Sequence, residues 1–196
     1  MTTIPAGRAP HDAQLRYDTV AMALHWLIAA LVLLNIALGL TMGDFSHHDP
    51  MRAALLGLHE SVGLTVLAVS VLRVIWRLVN PFLPPPEGLA APLRMAARAT
   101  HLLFYILIIA TPLAGWLLSS GSPKPLSWFG LFNWPKFWFY QGMMPPDRHN
   151  LAENFARVHV TLAWAMIGLI VLHVLAALYH QFIRRDGLLA RMVPWL

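Results

Sequence analysis

The chain has no cysteine. That excludes disulfides, thiolate metal sites, iron–sulfur clusters and covalent haem attachment through Cys-x-x-Cys-His. Charge is scarce too: 12% of the 196 residues are charged, only nine of them acidic, against 58% hydrophobic. A soluble domain carries about 25% charged residues, so the surplus apolar surface must face a lipid bilayer. No internal repeat or low-complexity tract interrupts the chain, and its length suits a single domain over residues 1–196. The net charge of +5 would hint at nucleic acid in a soluble protein. In a membrane protein it reflects basic residues gathered on the cytoplasmic flank, and no nucleic-acid partner is expected.

Four apolar stretches are long enough to cross about 30 Å of hydrocarbon, which takes about 20 helical residues. They cover roughly residues 20–42, 53–79, 97–119 and 155–182. Backbone groups in lipid must bond within their own segment, so these are helices, and the fold class is an all-α integral membrane four-helix bundle. Breaks fall at Gly43 to Pro50, at Asn80-Pro81 and Pro84-Pro85-Pro86, and from Gly121-Ser122-Pro123 to Pro145-Pro146-Asp147, each with proline blocking helix continuation. The first 19 residues read as a short polar tail before a retained first helix, because the apolar run that follows is too long for a cleaved signal. Thr111-Pro112 is expected to kink the third helix and is assigned no chemistry.

Basic residues set the orientation. Arg8, Arg16, Arg73, Arg77, Arg94, Arg98, Arg184, Arg185 and Arg191 fall on one side, and Arg52, Lys124, Lys136, Arg148 and Arg157 on the other. The nine-to-five excess predicts both termini in the cytoplasm. The third loop then lies outside, with Trp128, Phe129, Phe132, Trp134, Phe137, Trp138, Phe139 and Tyr140. Such rings either lie in the membrane interface or pack as a cap over the bundle.

Ionisable residues inside a membrane are expensive, so each is a candidate functional group. Of ten histidines, His25, His59, His159, His173 and His180 fall within the expected spans, and His101 near the start of the third. His159 and His173 are fourteen residues apart. They share a face to within about 40° and are separated by roughly 21 Å along the axis. Matching depths pairs His25 with His173 on the inner side and His59 with His159 on the outer side. Two neutral imidazoles fill both axial positions of a haem iron, so the pattern predicts two haems at two depths and no open site for small ligands. Interhelical hydrogen bonding is the alternative use for such histidines. Arg73 lies fourteen residues after His59, at the inner depth, and is a candidate partner for a haem propionate or a snorkelling arginine. His101 and His180, at the inner edge, are candidates to hydrogen-bond a quinone carbonyl or pass protons to it. Gly57, Gly63 and Gly168 offer close approach to a macrocycle or to a neighbouring helix.

These features together resemble the bacterial cytochrome b561 family. The matching residues are His25-Trp26; Leu58-His59-Glu60-Ser61-Val62-Gly63 with Arg73 and Arg77; His101-Leu102 with Pro112 and Gly115; and Val158-His159, Gly168, Leu172-His173 and His180. The resemblance covers residues 17–194 and is greatest to short di-haem members that oxidise superoxide and reduce ubiquinone. It implies two haem b groups on His25, His59, His159 and His173, and a ubiquinone site near His101 and His180. It also implies a multi-pass protein of the bacterial inner membrane that takes electrons from periplasmic superoxide, with Lys124, Lys136 and Arg148 able to steer an anion. A cytochrome b subunit taking electrons from a docked hydrogenase- or dehydrogenase-type partner is the alternative function, and a non-enzymatic haem carrier a further one.

Overall fold

The computed structural model describes residues 16–80 and 91–193. The N-terminal tail with Arg8, the Pro81 and Pro84-Pro85-Pro86 connection, and Pro194 lie outside the described residues. Four long helices dominate: α1 (Thr19–Thr41), α2 (Pro50–Val79), α3 (Ala91–Ser120) and α4 (Pro145–Tyr179). All four are long and apolar enough to cross a membrane.

Local chemistry sets their starts. Asp18 caps α1 by accepting from the Ala21 N–H at 2.9 Å, the bond that does most to hold its carboxyl below the ordinary range. Asp49 caps α2 through Met51 N–H at 2.8 Å, with Pro50 in the first turn, where its missing donor is harmless. Pro145 and Pro146 open α4 in the same way. Two helices start six or more residues earlier than the apolar runs imply, α3 at 91 rather than 97 and α4 at 145 rather than 155. A helix does not stop where hydrocarbon stops. At 35 residues, α4 reaches about 52 Å, and its polar first turns carry an Arg157–Glu153 pair at 2.9 Å with helical spacing.

Helices adjacent in sequence pack against one another, α1 on α2, α2 on α3 and α3 on α4, whereas α4 approaches α1 and α2 less closely. Ile28, Leu107, Ile108 and Met166 form one buried cluster and Leu38, Val62 and Val66 another. Much of the remaining apolar surface points outward, including Leu33, Leu72, Leu78, Leu172 and Phe182, as lipid contact requires.

The connection between α3 and α4 folds as a cap, with Phe129, Phe132 and Trp138 left exposed. A two-stranded hairpin, β1 (Ser127–Trp128) and β2 (Phe132–Asn133), pairs antiparallel. Phe129 and Gly130 in its turn both have left-handed backbone, with φ of 49° and 74°. The hairpin is latched to α2: Ser61 Oγ accepts from Phe129 N–H at 2.9 Å, and Trp128 Nε1 donates to Thr65 Oγ1 at 3.1 Å. Leu126 and Tyr140 are buried beneath it, while Leu131 and Trp138 stand exposed.

At the other end, α4 runs into a π-helical turn (His180–Arg184), and the chain then reverses through Arg185 and Gly187. The returning segment closes on α1: Arg191 C=O accepts from Tyr17 N–H at 3.2 Å, and Met192 C=O from Trp26 Nε1 at 2.8 Å. The described ends therefore lie together, which defines a termini side and a hairpin side of the bundle.

Candidate functional site

On the hairpin side, His59 of α2 and His159 of α4 face each other with ring centroids 5.9 Å apart and planes at 84°. Each ring is fixed through one nitrogen. His59 Nδ1 is 3.0 Å from Asn35 C=O on α1, and His159 Nδ1 is 2.9 Å from Thr111 C=O on α3. A carbonyl only accepts, so each Nδ1 carries the proton, and the tautomer this selects in a neutral imidazole leaves the lone pair on Nε2. Such an arrangement presents metal ligands. The rings sit tightly: a Cβ on Gly39 would stand 3.2 Å from His59 Cε1, and one on Gly115 3.1 Å from His159 Cε1 and Nδ1.

The two imidazoles line a cavity of about 400 Å³ that reaches all four helices, with Asn35, Gly63, Trp116 and Met166 in its walls. Glu60 and Ser119 also line it, joined by a 2.6 Å hydrogen bond from the Ser119 hydroxyl. The spacing suits one iron. Two metal–nitrogen bonds of about 2 Å each, plus the two ring radii, bring centroids roughly 6 Å apart. Among the described residues no group of three or more His, Cys, Asp or Glu side chains could hold a metal ion. The two imidazoles, 5.9 Å apart, would supply two donors to an iron, and a macrocycle would supply the others. An apolar cavity with two opposed imidazoles fits a haem.

On the termini side His173 of α4 is central. Its ring lies 6.4 Å from His25 of α1 at 70° and 6.4 Å from His101 of α3 at 69°, with Phe104 at 5.2 Å. The expected His25 and His173 pair is brought together, and His101 joins it as a third ring. Distance does not separate the two possible partners of His173, although α3 lies directly on α4 and α1 stands farther from it. Arg73 Nη1 donates to Ala21 C=O at 2.9 Å, one turn before His25. It lines a small cavity of about 50 Å³ with Tyr17, Trp76, Arg77 and Tyr105, and Arg77 stacks over the Tyr17 ring at 4.6 Å.

The two quinone candidates part company. His101 stays with the termini-side rings, while His180 Nδ1 meets Asp186 Oδ2 at 2.6 Å, with Arg184 Nε 3.3 Å from the same oxygen. Burial pushes the Asp186 carboxyl up, but hydrogen bonds from His180 and Leu188 N–H outweigh it and hold the group below its ordinary range. Lys136 is less available to steer an anion than its sequence position implies. Its ammonium donates to the carbonyls of Ser122 and Lys124, and burial pulls it below the usual lysine range.

The structure adds two features. Gly39 and Gly115 are the glycines that lie against the rings, whereas Gly63 faces Asn35 and nothing lies within 4 Å of a Cβ on Gly57 or Gly168. Thr111, assigned no chemistry beside Pro112, lends its carbonyl to His159. Spacing held a usable signal: Gly39 lies fourteen residues after His25, and Gly115 fourteen after His101.

Comparison with known proteins points to one family. The family described as "Prokaryotic cytochrome b561" matches residues 16–195. "Cytochrome b561 homolog 2" of Escherichia coli K12 is 36% identical over 178 residues, covering 91% of each chain. "Cytochrome b561 homolog 1" of the same organism is 30% identical, over 91% of this chain and 97% of the relative. "Probable superoxide oxidase CybB" of Yersinia pestis is 26% identical, over 91% and 96%.

Proposed function

Because the chain belongs to the prokaryotic cytochrome b561 family, whose members are haem-binding helical bundles of transmembrane electron transfer, we propose that it holds two haem b groups. One sits between His59 and His159, the other between His25 and His173. The observation that carries this reading is the hairpin-side pair: two imidazoles about one iron's span apart, each with its Nδ1 tied to a carbonyl. Haem bound at both levels would supply one-electron redox chemistry at two depths, roughly 21 Å apart along the helices.

The chain's own residues do the rest. The four imidazoles would hold the two groups and leave no open position on the iron, which would favour electron transfer over oxygen binding. Gly39 and Gly115 leave space for the hairpin-side rings. Arg73 offers a guanidinium to a propionate on the termini side. His101, beside the termini-side rings, or His180, oriented by Asp186, passes a proton to a quinone on that side. The arginine excess on the termini side supports an orientation with that side facing the cytoplasm from the bacterial inner membrane. The electron source we propose is superoxide on the hairpin side, and the acceptor ubiquinone on the termini side. The name of the Yersinia pestis relative supports that choice.

Detergent-purified protein mixed rapidly with superoxide, with and without a ubiquinone analogue, tests this. Low-spin haem b bands should be reduced by superoxide and reoxidised by the quinone. Bands that respond only when a dehydrogenase-type partner is added would replace superoxide as the donor. A colourless protein would overturn the haem reading itself.

A further inference from the structure

The two levels differ in how their imidazoles are held. On the hairpin side one construction is used twice. A neighbouring helix offers a carbonyl to Nδ1, and four residues later a glycine lets the ring lie against the helix: Asn35 and Gly39 of α1 for His59, Thr111 and Gly115 of α3 for His159. On the termini side, among the described residues, neither His25 nor His173 has a hydrogen bond of this kind. There the guanidinium of Arg73 lies one turn from His25, bonded to Ala21 C=O.

Each difference has a sign. An Nδ1–H donated to a carbonyl moves electron density onto the ring and makes Nε2 a more basic ligand. A more basic axial ligand favours the oxidised metal, and ligand identity and hydrogen bonding around it are levers on haem potential. A nearby cation favours the state with less positive charge, the reduced one. Both effects separate the levels in the same direction.

We infer that the paired carbonyl-and-glycine braces make the hairpin side the lower-potential level, so that an electron crossing toward the termini side runs downhill. Haems held at the two levels would exchange a single electron, one oxidised as the other is reduced, with no proton required. Asn35, Gly39, Thr111 and Gly115 are thus positioning residues that act through His59 and His159. The inference rests on the haem reading above.

Potentiometry of the purified holoprotein, followed in the haem visible bands, tests it. Wild type should show two components. Gly39→Ala and Gly115→Ala, which press the rings off their carbonyls, should each raise the lower component by on the order of tenfold in its reduction equilibrium, about 59 mV for one electron, and leave the higher one in place. Gly57→Ala, where a Cβ meets nothing within 4 Å, should move neither. Arg73→Gln should lower the higher component. If an alanine variant fails to retain haem, His59→Ala and His173→Ala decide the order, and the component that survives in His59→Ala should be the higher one. A surviving lower component, or glycine variants that shift the higher component or neither, would overturn the inference while leaving the two-haem reading intact. Wild type without haem would overturn both.

Discussion

The hairpin side and the termini side of this bundle use the same register for different ends. Fourteen residues separate His25 from Gly39, His59 from Arg73, His101 from Gly115 and His159 from His173. Each helix therefore presents one residue at each depth on nearly one face. The hairpin side receives two histidines and two glycines, and the rings lie against the glycines with their nitrogens bonded to carbonyls. The termini side receives three histidines and an arginine, and the rings cluster around His173. Small residues make a tight, defined imidazole pair, whereas large polar ones make a crowded site with a cation and a spare histidine. A site that needs one fixed geometry gains from the first. A site that must also exchange protons gains from the second.

The comparison can be broken most sharply at His173. His173→Ala should remove the termini-side haem and take ubiquinone reduction below detection, while superoxide still reduces the remaining haem. Persistent quinone reduction would show that the termini-side cluster is not on the electron path. Next in size, His101→Ala should keep both haems and slow quinone reduction roughly 10²-fold, as for a lost general acid. If one haem disappears instead, His101 rather than His25 is the partner of His173.

On the hairpin side, Ser61→Ala tests whether the cap is latched to the helix that carries His59. Ser61 is 2% exposed, and its loss leaves the Phe129 N–H without an acceptor. About 1–3 kcal/mol of stability should go, measured as a lower denaturation midpoint in detergent. An unchanged midpoint would mean the hairpin is held elsewhere.

The smallest effect concerns Asp186 in the returning segment. Its folded pKa lies below the unfolded value, which is about 3.9. Its contribution is complete above that value and is lost as pH falls through the folded pKa. A nitroxide on Leu189→Cys, the sole thiol in this cysteine-free chain, should gain mobility below about pH 4. With Asp186→Asn it should already be mobile at neutral pH and show no acid step. A label indifferent to both changes would detach Asp186 from the closure of this end.

Much of this was legible before the fold was known. Apolar run length gave four helices, and the fourteen-residue step from His159 to His173 gave two depths. Two kinds of feature were not legible. Carbonyls of Asn35 and Thr111 carry no mark in a sequence, since every residue has one, and only the fold reveals which ones meet a ring. The hairpin latch through Ser61 and the return of Met192 to Trp26 join residues far apart in sequence. Helix starts at Ala91 and Pro145 were missed because polar turns continue a helix beyond the hydrocarbon.

The most direct measurement is the haem-to-protein ratio of purified protein, taken with its visible spectrum, for wild type, His59→Ala and His159→Ala. Two low-spin haem b groups per chain are expected in wild type and one in either variant. A wild-type chain without haem, or variants that keep both groups, would contradict the assignment of His59 and His159 as one iron's two ligands.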